Sequence, residues 1–182
     1  MGAFDDSGHI ASGEVLSLTQ PSVRRAMFEL RQRDAVVGAL DWRRGRRSVA
    51  SARVQGLGSV TLAWRRRGRT EVRDEGAGND VAIVDWDRGR TARITVAGKG
   101  GFVLRPSGRH RSEILRTSDE LFVLRAVQSF ARASVEITAS TTVPEQTGLL
   151  LCVIGGFAAL RELRAEVDSG AAVGGIVASG LG

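Results

Sequence analysis

From about Val23 to Thr142 the chain alternates short apolar runs, rich in Val, Ile, Leu, Phe and Trp, with breaks of Gly, Asp and Arg. Runs of that length and β-branched content predict strands separated by turns. The expected strands are Ala26 to Leu30, Ala35 to Trp42, Ser48 to Val54, Ser59 to Trp64, Thr70 to Arg73, Val81 to Trp86, Thr91 to Val96, Gly101 to Leu104, Arg111 to Leu115, Leu121 to Ala126 and Ser134 to Ala139, none needing more than eight residues.

The rhythm is periodic. Trp42, Trp64 and Trp86 fall 22 residues apart both times, and each is followed by an arginine-glycine-arginine turn. The copies read Trp42-Arg43-Arg44-Gly45-Arg46, Trp64-Arg65-Arg66-Arg67-Gly68-Arg69 and Trp86-Asp87-Arg88-Gly89-Arg90, with a degenerate fourth at Pro106-Ser107-Gly108-Arg109. Self-similarity at fixed period marks a repeated supersecondary unit. Here the unit is a hairpin: an apolar strand, a glycine able to take positive φ in a tight turn, and a returning strand. At that cadence residues 24 to 142 hold roughly 11 strands, more than an open twisted sheet carries without curling. The expected fold is therefore mainly β, a closed or nearly closed antiparallel barrel of about 11–12 strands, since closure removes exposed edges.

After Pro144 the period changes. The stretch Leu149 to Leu160 is apolar on every face, so it has no side to offer water and predicts a buried helix over about 144–166. Pro144 suits a first helical position, Glu145 the first turn, and Arg161 with Arg164 the last. Twelve continuous apolar residues fall short of the ~20 that a bilayer core requires. A barrel wider than about eight strands has room for one axial helix, and Gly155 with Gly156 would let strands approach it. The domain reading is a flexible tail over 1–23, a barrel domain over 24–167, and a Gly/Ala-rich tail over 168–182.

Composition narrows the chemistry more than it names it. Basic residues number 26 against 20 acidic ones, for a net charge of +6, and Lys99 is the one lysine. Arginine is the better residue for bidentate recognition of phosphate or carboxylate; the alternative is a coding preference for Arg over Lys. Cys152 stands alone within the apolar run, which excludes a disulfide framework or a cysteine metal site. No secretory leader is read at the N-terminus, so the expected location is cytoplasmic, with peripheral membrane association open and integral insertion not expected.

No catalytic constellation stands out. Gly56-Leu57-Gly58 has Thr61 where a dinucleotide loop needs glycine, and Gly98-Lys99-Gly100-Gly101 lacks the Ser/Thr of a phosphate loop. Asp85 and Asp87 share a strand face but sit beside Arg88 and Arg90 at a hairpin end. His9 and His110 have no ligand set or nucleophile nearby. Neither a metal, a cofactor nor an enzyme activity is expected.

The hairpins at Trp64 and Trp86 with turn glycines Gly68 and Gly89, followed by Leu149-Leu150-Leu151-Cys152-Val153-Ile154, resemble the tubby C-terminal-like superfamily, which includes LURP-one-related proteins and phospholipid scramblases. The resemblance covers residues 24 to 167 and implies a 12-stranded barrel around a hydrophobic helix, with lipid headgroups as ligands. Glu145, Gln146 and Thr147 do not supply the acidic calcium segment of scramblases.

In an up-and-down barrel, turns two strands apart share an end. Arg43, Arg44, Arg46, Arg47, Arg65, Arg66, Arg67, Arg69, Arg88 and Arg90 should then gather on one rim, able to attract anionic lipid or another polyanion. Nucleic acid is disfavoured because the tryptophans read as core. Two functions follow: a non-enzymatic anion-binding module, or a structural or protein-interaction domain whose arginines only solvate the turns.

Overall fold

The computed structural model describes residues 7–22, 26–42, 49–65, 68–87, 91–129 and 132–178, the side chains of Ser129 and of 167–178 excepted. Its strands are β1 (His9–Ile10), β2 (Val15–Thr19), β3 (Met27–Gln32), β4 (Ala35–Asp41), β5 (Val49–Val54), β6 (Gly58–Arg65) and β7 (Arg69–Asp74). They continue as β8 (Asp80–Trp86), β9 (Ala92–Val96), β10 (Gly100–Gly108), β11 (Arg111–Arg116), β12 (Asp119–Ser129), β13 (Arg132–Ala139) and β14 (Val143–Pro144), before one helix, α1 (Glu145–Ala178).

Strands β2 to β13 form a closed antiparallel barrel in which each pairs with its neighbours in sequence and β2 seals the cylinder against β13. The alternation seen in the sequence becomes an inside and an outside. Along β9, Ala92, Ile94 and Val96 are buried while Arg93 and Thr95 are exposed. The outer face of β6 to β8 carries Arg65, Arg69, Glu71, Arg73 and Asp85, each in ion pairs. A polar exterior around an apolar interior is the inverse of what a lipid-facing barrel needs.

Twelve strands leave a lumen too wide for side chains alone to fill, and α1 fills it. Leu149, Leu150, Leu151, Cys152, Val153, Phe157 and Leu160 are all buried, and each buried apolar side chain contributes roughly 1.5–3 kcal/mol relative to exposure. The paired glycines make the fit. A Cβ at Gly155 would come within 2.7 Å of the Leu124 Cδ2 and 3.0 Å of the Ile114 Cδ1, and one at Gly156 within 2.6 Å of the Leu18 Cδ2. The start of α1 is held where β1 and β14 pair: Ile10 lies opposite Val143, and the Glu145 amide donates to the Gly8 carbonyl at 2.9 Å. Among the described residues no helix is long and apolar enough to cross a membrane.

Three expectations need correction. Residues 1–23 are not wholly a tail, because Val15–Thr19 is a barrel strand whose Leu16 and Leu18 are fully buried. Strand length is not capped at eight: β10 has nine residues and β12 eleven. The helix outruns 166, since 168–178 continue α1 rather than begin a tail, and no proline interrupts it.

Candidate functional site

The connections β4–β5, β6–β7, β8–β9, β10–β11 and β12–β13 share one end of an up-and-down barrel, and α1 leaves the lumen there. The Trp-marked strand ends meet the last buried turns of the helix at this mouth. Trp42 stacks on Phe157 with ring centroids 4.7 Å apart and planes at 29°. Trp64 and Trp86 lie 5.5 Å apart, and the Trp86 Nε1 donates to the Thr70 Oγ1 at 3.3 Å. Two helix arginines lie over these rings: the Arg161 guanidinium carbon is 3.3 Å from the Trp64 centroid, and that of Arg164 is 4.6 Å from the Trp42 centroid. Burial lowers the Arg161 pKa from its ordinary value, while the neighbouring Glu162 raises it. The 22-residue tryptophan period thus builds a ring of aromatic seats for the end of the helix.

Of the arginines expected on this rim, Arg65 and Arg69 are described, and the β6–β7 hairpin brings them together. They lie directly opposite each other in register, across a turn in which Gly68 adopts φ 71°. Like charges opposed across a ladder repel, and carboxylates offset this. The Arg65 Nε is 2.9 Å from the Glu71 Oε2, and the Arg69 Nε 3.9 Å from the Asp85 Oδ1. Arg43, Arg44, Arg46, Arg47, Arg66, Arg67, Arg88 and Arg90 lie outside the described residues.

The sequence reading missed a second feature of the same end. β12 runs four residues beyond Arg125, its last register partner of β11 being Arg111; the overhang pairs with β13, and its Ala126 amide donates to the His110 carbonyl of the β10–β11 turn at 2.8 Å. The step leaves a groove of about 470 Å³ lined by Arg109, His110, Arg125, Gln128, Leu163 and Glu166 among others. His110 occupies the tight β10–β11 turn at φ 57°, and its Nε2 is 3.6 Å from the Glu166 Oε2. No sequence motif could reveal this groove, because its members come from a turn, a strand overhang and a helix end.

Four other arginines are matched to carboxylates: Arg31 to Glu29, Arg33 to Glu14, Arg73 to Asp80 and Arg105 to Glu113. Arg53, Arg93, Arg109, Arg111, Arg116, Arg125 and Arg132 have no such ion pair among the described residues, and Arg125 lies in register between Arg111 on β11 and Glu136 on β13. Asp85 serves Arg69, and the Gly98-Lys99-Gly100 string is the β9–β10 turn at the opposite end. No family model, curated protein or solved structure matches the chain.

Proposed function

We propose that this chain is a non-enzymatic module that binds anionic phospholipid headgroups at a membrane surface through the arginine-rich rim. One observation carries the reading: the strand ends flanking all three Trp-Arg-Gly-Arg turns open onto the same mouth as Arg109, Arg161 and Arg164. A one-sided cationic rim on a polar barrel can approach an anionic surface without insertion. The tubby-like resemblance and a cytoplasmic, membrane-peripheral location belong to this proposal.

The test is co-sedimentation with vesicles that contain or lack phosphatidylinositol phosphates. Salt-sensitive binding is expected, weakened on the order of 100-fold when Arg65, Arg66 and Arg67 become Ser, at about 1 kcal/mol per arginine near the surface. Binding that ignores both salt and these substitutions sinks the reading. The ion pairs Arg65 to Glu71 and Arg69 to Asp85 favour a second reading, a structural or protein-interaction domain whose hairpin arginines are already neutralised in cis.

A further inference from the structure

We infer that the open edge of the β12 overhang takes up an extended segment of a partner protein, which adds to the barrel as a short strand above the β10–β11 turn. The inference starts from register. In an antiparallel ladder each residue turns its N–H and C=O to one neighbouring strand, and successive residues alternate. The Ala126 amide donates to the His110 carbonyl at 2.8 Å, so Ala126 faces the β11 side, Val127 and Ser129 face β13, and Gln128 again faces the β11 side. β11 does not reach that far, because its first residue, Arg111, stands opposite Arg125. The backbone N–H and C=O of Gln128 thus point across the groove of about 470 Å³, where no described strand lies. A peptide that binds by strand addition completes this pattern.

A second overhang supplies the contrast. β10 runs four residues past Leu104, its last partner on β9. That edge carries Pro106, which has no N–H to offer, and Arg105 in its ion pair with Glu113. Proline and charge are the usual guards of a bare edge. The β12 overhang, Ala126-Val127-Gln128-Ser129, has neither. It exposes Val127 instead, at 43% one of three large apolar side chains left so open among the described residues. Alternation also fixes what the partner presents. Its residue opposite Val127 lies on the outer face, where a β-branched side chain makes a stabilising cross-strand pair. Its residue opposite Gln128 lies on the α1 side, where Leu163 lines the groove and a small side chain fits. The edge reads an extended backbone rather than an anion, so the inference does not rest on the lipid reading of the rim.

The experiment uses the full chain and an uncharged probe, acetyl-Thr-Val-Ala-Val-Thr-amide, titrated while backbone amide resonances are followed. Saturable binding at about 1 mM peptide or below is expected. The Gln128 amide should exchange fast in the free chain and slow on binding, while the Val127 amide, turned to β13, stays as it was. Gln128→Ala keeps the main chain and should keep the affinity. Gln128→Pro removes only the open N–H and should weaken it about ten-fold or more, and Val127→Ser by a few-fold. Thermal unfolding should change little in all three, since proline is tolerated where an edge N–H faces solvent. Should Gln128→Pro not fold, methylation of each peptide nitrogen in turn supplies the same test, because an added strand loses affinity at alternate positions only. Equal affinity in a folded Gln128→Pro, a uniform response to methylation, or no binding of the probe overturns the inference. So does a chain that dimerises by itself and is made monomeric by Gln128→Pro, since a second copy is then the occupant.

Discussion

The guanidinium carbon of Arg161 lies 3.3 Å from the centroid of the Trp64 ring, at the point where the helix leaves the barrel. Helix and wall are joined there by a partly desolvated cation–π contact, in which the charge strengthens a packing that the methylene stem alone would make weakly. Arg161→Met keeps most of the stem and is expected to lower stability by about 0.5–2 kcal/mol. Arg161→Lys retains charge but loses the planar stack and falls between the two. Urea midpoints at unchanged slope measure the effect, and a shift in tryptophan emission shows that it acts at Trp64.

Gly155 and Gly156 set the distance between helix and wall. Alanine at either gains about 1 kcal/mol in helix propensity, yet each new Cβ lands on a leucine methyl: Leu124 for Gly155 and Leu18 for Gly156. Overpacking of this kind costs roughly 1–3 kcal/mol, so Gly155→Ala should come out near neutral to mildly destabilising and Gly155→Leu clearly worse. The diagnostic is a double-mutant cycle: Leu124→Ala should make Gly155→Ala stabilising, and additivity of the two would show that the methyl is not the obstacle.

Cys152 is wholly buried, and burial pushes its thiol pKa far above the ordinary 9.0. Below that value the thiol is protonated whether the chain is folded or unfolded, so it adds no pH dependence. As pH rises past about 9 only the unfolded chain ionises, and stability should fall by about 1.4 kcal/mol per pH unit. The window is unusually clean, because the chain has no tyrosine and Lys99 is its one lysine. Denaturant melts between pH 7 and 10.5 should show the decline in the native sequence and lose most of it in Cys152→Ala, with the thiol unreactive to disulfide reagents until the barrel opens.

Glu71 neutralises Arg65 at 2.9 Å. Both are partly exposed, so Glu71→Gln should lower stability by less than about 1 kcal/mol. The same change frees a rim cation, and retention on anionic vesicles should rise by a few-fold. Unchanged retention would favour the view that these arginines only solvate their turns.

Most of the barrel was legible because its signals are local. Tryptophan at fixed period followed by a glycine turn marks three of the hairpins, and an all-apolar run such as Leu149 to Leu160 has few places to go other than a lumen. β2 escaped notice because Leu16 and Leu18 are its two fully buried positions and they sit in a stretch otherwise rich in Gly, Ser and Asp. Its strand character comes from being flanked by β13 and β3, a long-range pairing that five residues cannot announce. The rim was readable as a set of turns, whereas the ion pairs that temper Arg65 and Arg69 depend on cross-strand register. The groove was least visible of all, since Arg109, Arg125 and Glu166 meet through the overhang of β12 and the exit of α1.

The seam between β2 and β13 also bears on how the chain assembles. Leu16 must find Ile137, and Leu18 must find Val135, across nearly the whole length of the barrel sequence. A ribosome releases β2 well before β13 and before the Leu149 to Leu160 segment that fills the lumen, so β2 emerges without either partner. Until β13 meets β2 each of them presents a bare strand edge, the feature by which β proteins are most prone to pair with the wrong chain. With contacts this distant in sequence, refolding belongs on the millisecond-to-second scale rather than that of helical bundles.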